Sequence, residues 1–221
     1  MDPLKYALRL NNEGVRLLLD GNQDQQAVSC FTESLNQVKQ ALSAHPANKA
    51  TLSNPPLIHQ GTFPIPSLRD PGCFVFSNAI TFNLEDAFLK SSAHDLHVYS
   101  AVIILNIAMA YHRQGVIRGN LACYFKAEKM YDMATTLVAS NEDNLGTSLL
   151  VKIAAINNLS QLRHEQGDYD ASREGFEYLG ALLNLAESQL ATSSLNQDDD
   201  IFKGIILNVL LVTAPETAPA A

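Results

Sequence analysis

Apolar residues recur along most of this chain at helical intervals of three and four, in three long stretches that each break once near a glycine. In residues 3–43, Leu4, Ala7, Leu8, Val15, Leu18 and Leu19 line one broad face. Past Gly21, the residues Ala27, Val28, Phe31, Leu35, Val38 and Leu42 line a second. The spacing predicts a helical hairpin over 3–43, its second helix at 24–43. The same pattern returns at 94–140, with helices at 94–114 and 120–140, and at 148–192, with helices at 148–166 and 168–192. The run IFKGIILNVLLV, preceded by Asp198, Asp199 and Asp200, predicts a last helix over 198–213. Acids suit a helix N-terminus, and an apolar helix here would close the open end of a stacked array. Residues 214–221 read as a flexible tail. The expected fold is all-α: one helical domain over 1–213, antiparallel hairpins stacked as a right-handed superhelix.

Residues 44–83 interrupt this order. Pro46, Pro55, Pro56, Pro64, Pro66 and Pro71 exclude a continuous helix. Within the insertion, the β-prone runs CFVF and AITF meet at Ser77-Asn78, which predicts a short hairpin or an extended strand lying on the helices. Residues 84–92, LEDAFLKSS, read as a short helix or lead-in. Phe74, Val75, Phe76, Ile80 and Phe82 would expose a large apolar patch unless the segment folded back. Residues 62–82 are therefore expected to dock, with Phe74 and Phe76 on the second hairpin and part of the groove covered. A cover, a lid and a built-in pseudo-ligand are all compatible with that docking.

Residues 156–179, INNLSQLRHEQGDYDASREGFEYL, carry the most specific signal. A helical half is followed by Gly167-Asp168-Tyr169, then by Ser172 and Phe176 one turn apart. Near the N-terminus Gly14, Gly21, Ala27 and Phe31 follow the same grammar. In the middle it is Ala108, Tyr111, Gly115, Ala127 and Tyr131. The order of small residue, aromatic, turn glycine, alanine and aromatic resembles the tetratricopeptide repeat. LNNEGV, FVFSNAI and INNLSQL are further similar to tetratricopeptide-like proteins of diatoms. The copies are degenerate. The first has an extra residue in its turn, the second about seven between Gly115 and Ala127, the third has Arg163 where an aromatic is common, and Trp is absent.

The resemblance implies a concave groove lined by first helices. Counted from Gly14, Ala108 and Ser160, the groove candidates are Asn11, Val15 and Leu18; Leu105, Met109 and His112; and Asn157, Gln161 and His164. Chaperone-binding members of that family clamp a C-terminal carboxylate with Lys, Asn and Arg. The matching positions here are Asn11, Val15, Asn106, Ala154 and Asn158, without a basic residue. That leaves amide-rich binding of backbone, or a groove closed by the insertion.

Composition narrows the partners. Net charge is −8, which disfavours nucleic acid and anionic membranes, since both need clustered Lys and Arg. Cys30, Cys73 and Cys123 form no framework, which suggests a reducing compartment, cytoplasmic or nuclear. The start, MDPLKYALRL, reads as a helix opening capped by Asp2 rather than a signal region. No phosphate loop, dinucleotide fingerprint, zinc-protease or nucleophile-elbow motif is present. His94 and His97 lack a third ligand, and the acids at 198–200 read as a helix cap. His112 and His164, each three residues before a glycine, read as capping or groove residues. Asn158-Leu159-Ser160 is a glycosylation sequon on a packed helix and is expected to stay unused. The expectation is a non-enzymatic adaptor for a protein or peptide, without cofactor or metal. A self-associating structural subunit, a homo-oligomer, is the alternative.

Overall fold

The computed structural model describes residues 2–21, 23–44, 58–62, 74–84, 93–139, 145–190 and 199–213. The proline-rich stretches, most of the lead-in at 84–92, Cys73, residues 140–144, Asp198 and the tail lie outside them, as do the side chains of His94, Asp199 and Asp200. Among the described residues, seven helices form: α1 Pro3–Leu19, α2 Asp24–Ala44, α3 Ala93–Arg118, α4 Leu121–Ala139, α5 Leu145–Gln166, α6 Tyr169–Leu190 and α7 Asp199–Thr213. They pack as sequential antiparallel pairs. Two strands, β1 Ile58–Thr62 and β2 Asn78–Phe82, pair antiparallel with Ile58 opposite Phe82 and Thr62 opposite Asn78.

The helix ends follow from local chemistry. Asp2 Oδ1 accepts the Leu4 N–H at 2.9 Å, and Pro3 occupies the first turn, where its missing N–H costs nothing. Gly21, Gly119 and Gly167 have φ of +87°, +60° and +88°, a region open to glycine without strain. At Gly167 the chain closes as a Schellman turn: the Asp168 N–H donates to Arg163 O (2.9 Å) and the Gly167 N–H to His164 O (3.1 Å). The next residue opens the following helix. Asn120 Oδ1 accepts the Ala122 N–H, and Asp168 Oδ1 accepts the Ala171 N–H.

Two expectations change. The second hairpin turns at Gly119, not Gly115. Gly115 lies within α3, where a Cβ would stand 3.1 Å from the Tyr124 ring. It is a close-packing glycine, and α3 runs on to Arg118, which absorbs most of the surplus residues in that copy. The hairpin of the insertion also differs. Residues 78–82 pair with 58–62, and residues 74–77 join no strand.

Contacts divide the chain into two units, Met1–Pro66 with Ser77–Ala155, and Ser67–Phe76 with Ile156–Ala221. In the first, the Phe31 ring fills the notch left by Gly14, where a Cβ would approach it to 2.5 Å. Ser34 Oγ ties α2 to α1 by donating to Ala7 O at 2.7 Å. α2 packs on α3 and α3 on α4, so residues 98–110 of α3 are buried on every side. In the second unit, Ser160 of α5 sits against Gly175 of α6, and Val209 of α7 against Gly180. No helix among the described residues is long and apolar enough to cross a membrane.

Candidate functional site

Each unit places a cluster of asparagine amides on an extended piece of the insertion. In the first unit, Asn106 on α3 holds both main-chain groups of Ile80. The Ile80 N–H donates to Asn106 Oδ1 at 3.0 Å, and Asn106 Nδ2 donates to Ile80 O at 2.8 Å. Asn11 on α1 adds its own Nδ2 to Ile80 O at 2.9 Å and accepts Asn106 Nδ2 at 2.9 Å. Its neighbour Asn12 holds Phe82 in the same two-bonded way, both at 2.8 Å.

The second unit repeats the arrangement atom for atom. Asn208 on α7 holds Phe74, accepting its N–H at 2.8 Å and donating to its O at 2.6 Å. Asn157 on α5 donates to Phe74 O at 3.2 Å and accepts Asn208 Nδ2 at 2.8 Å. Asn158 holds Phe76 through both groups at 2.8 Å. The two sets correspond: Asn11, Asn12 and Asn106 on Ile80-Thr81-Phe82, and Asn157, Asn158 and Asn208 on Phe74-Val75-Phe76. An asparagine pair on one helix and a single asparagine two helices later grip residues k and k+2.

An amide can do this because its C=O and NH2 have the spacing of a neighbouring strand's acceptor and donor. In extended backbone, the N–H and C=O of one residue point to the same edge, and residues k and k+2 share that edge. On β2 the asparagines take one edge while β1 pairs along the other. Asn11, Asn106, Asn157, Asn158 and Asn208 are fully buried, where each matched bond counts and each unmatched one is costly.

Side chains of the segment find separate slots. Gly204 of α7 leaves room for the Phe74 ring, which a Cβ would strike. Phe76, Ala79 and Ile80 are fully buried, and the Phe82 ring meets Tyr99 edge-on at 5.1 Å. Phe74 is thus held by α5 and α7, where the second hairpin was expected, and the Phe76 main chain is held by α5.

The other sequence-derived candidates divide. Val15, Leu18, Leu105 and Met109 are buried among the helices. His112 is buried too, its Nδ1 3.2 Å from the Tyr131 hydroxyl and its ring edge-on to Tyr124 and Tyr131. The capping role falls to its neighbour Arg113, whose guanidinium donates to Leu18 O at 2.9 Å and to Gly21 O at the end of α1, with Asp24 3.7 Å away. Burial raises the Asp24 carboxyl, with Arg113 and then Arg118 pulling the other way. Gln161, one turn beyond Asn157 and Asn158, is buried. The His164 ring stacks edge-on with Tyr169 at 5.1 Å. Asn11 and Asn157 join the asparagine clusters. The sequence pattern does not single out Asn12 and Asn208; it marks Asn106 as a clamp position, and Asn158 as a clamp position and a glycosylation sequon. One signal could have found three of them: Asn12, Asn106 and Asn158 each stand two residues before Gly14, Ala108 and Ser160.

No protein-family model, curated protein or solved structure matches this chain.

Proposed function

We propose that this chain is a tetratricopeptide-like protein-interaction scaffold, non-enzymatic, whose asparagine clusters hold an extended polypeptide segment by its main chain. The observation that carries the reading is the duplicated two-bonded grip of asparagine amides on single residues of an extended strand. Such a grip fixes backbone direction and register while leaving side-chain identity to the surrounding slots, as in strand addition to a sheet edge. Titration calorimetry with extended peptides tests it. Binding that is lost on Asn106→Ala or Asn208→Ala supports the reading. Peptides bound equally well by those variants, or none bound even above about 1 mM, where a tethered segment no longer outcompetes them, refute it.

A self-associating subunit is the second reading, favoured by Ile206, Leu207, Leu210 and Leu211, all exposed on α7. A second copy covering that face would bury them. Light scattering decides it: a monomer at high concentration, unchanged by Leu210→Asp, removes this reading.

A further inference from the structure

We infer that residues 74–82 are an internal stand-in for the ligand, and that the asparagine clusters accept in trans an extended peptide with large apolar residues at positions k and k+2. This rests on the proposed scaffold function and names its ligand class and its control.

Residues 20–23, 119–120 and 167–168 suffice to join α1 to α2, α3 to α4 and α5 to α6. Helices α2 and α3 also pack directly on each other, yet their connection runs over residues 45–92. Long connections in compact folds are uncommon and are usually either functional or linkers, and this one carries β1 and β2 and the two asparagine-held pieces. The helices do not need this one to pair.

A segment that merely covered apolar helix faces would be held well by apolar side chains, which incur no desolvation cost. Five fully buried asparagines instead face its backbone. Left without a partner they would be strongly unfavourable, so the clusters favour exchange of one extended chain for another over opening to an empty state. Among the described residues, the bonds given above go to main-chain N–H and C=O of the segment, groups that any extended non-proline chain supplies. Selectivity then comes from the side-chain slots: the Gly204 notch at Phe74 and Tyr99 at Phe82. The motif this chain presents twice, Phe-Val-Phe and Ile-Thr-Phe, is the template for the external ligand.

A tethered segment competes at an effective concentration on the order of mM. An external peptide of equal intrinsic affinity is therefore held off until it exceeds that level or the tethered segment is weakened. The connection thus sets a threshold for binding.

The experiment uses the full chain and a fluorescent synthetic peptide of residues 74–84. Phe76→Asp and Phe82→Asp, made singly in the chain, weaken the tethered segment and leave all six asparagines in place. Each variant is expected to bind the peptide more than about tenfold tighter than the unaltered chain. A peptide N-methylated at the residues matching Phe74 and Ile80 should not bind. Equal affinity for altered and unaltered chains, with binding abolished by Asn106→Ala, overturns the stand-in while leaving the scaffold function standing. Absence of peptide binding by every chain defeats both. If the variants do not fold, the unaltered chain decides by amide exchange. Unlabelled peptide at about 1 mM must speed exchange at Ile80 and Phe82, and unchanged protection there overturns the inference.

Discussion

Asn106 and Ile80 form a two-bonded pair between a buried helix and a strand edge: Ile80 N–H to Oδ1 at 3.0 Å and Nδ2 to Ile80 O at 2.8 Å. Asn106 is the acceptor for that N–H, whereas the Ile80 carbonyl has Asn11 as a second donor. Asn106→Ala should therefore strand one buried donor and cost about 1–3 kcal/mol, read as a lower urea midpoint at unchanged slope. Asn106→Asp should cost more at neutral pH, because an ionised carboxylate can accept the N–H but cannot donate to Ile80 O or Asn11 Oδ1. Acidification should recover part of that loss by restoring a donor. If the stability of the Asn106→Asp chain proved insensitive to pH, the assigned bond directions would be contradicted.

Gly14 and Phe31 test the packing of the first hairpin. A methyl at position 14 would meet the Phe31 ring at 2.5–2.9 Å, and that ring is fully buried. Gly14→Ala should destabilise by about 1–3 kcal/mol through overpacking, although alanine is the better helix former. Phe31→Leu in the same chain should recover part of the loss. Additive losses in the double variant would show that the two residues do not share the space.

Much of this fold is legible along the chain because helix ends are written in short-range chemistry. Asp2-Pro3, Gly21 and Gly167-Asp168 carry their own capping logic, so α1, α2, α5 and α6 fall within a few residues of the expected bounds. Gly115 misleads because a glycine that admits a ring and one that turns a chain look alike in sequence; only Tyr124 against it tells them apart. The strand pairing was not legible. Residues 74–76 have β-prone side chains, but the main-chain groups of Phe74 and Phe76 bond to asparagines, while the IHQGT run that became β1 lacks apolar alternation. At the site, the amide-rich helix face was readable and its register was not. Adjacent positions on a helix lie about 100° apart, so counting three back from the small residue finds Asn11 and Asn157, and counting two finds Asn12, Asn106 and Asn158.

Asp24 gives the fold a defined pH response. Burial raises its carboxyl above the ordinary 3.8, with Arg113 and Arg118 opposing. The folded state thus holds this proton more tightly than the unfolded chain. Its contribution to stability is fully present below the ordinary carboxylate value and is lost as pH rises through the raised one. An asparagine at position 24 would not titrate. The stability of the unaltered chain relative to the Asp24→Asn variant should therefore decline as pH rises from below 3.8 towards neutrality, followed by urea midpoints of both chains. A gap that moves the other way would mean that attraction to Arg113 outweighs burial.

Amide exchange in residues 74–82 should alternate with the asparagine grip. The Phe74, Phe76, Ile80 and Phe82 N–H groups each donate to an asparagine Oδ1. The Val75 N–H lies on the opposite edge of an extended chain. Val75 should therefore exchange faster than Phe74 and Phe76 on either side, by more than about tenfold if the held amides need local opening worth about 1.4 kcal/mol or more. Single substitutions then assign each protector. Asn158→Ala should release the Phe76 amide first, because Phe74 keeps Asn208 and Asn157. Asn12→Ala should release Phe82 first, because Ile80 keeps Asn106 and Asn11. Nuclear magnetic resonance of the unaltered chain and these two variants separates the cases. Uniform protection from 74 to 76, unmoved by Asn158→Ala, would mean that apolar burial rather than the amide grip holds the segment down.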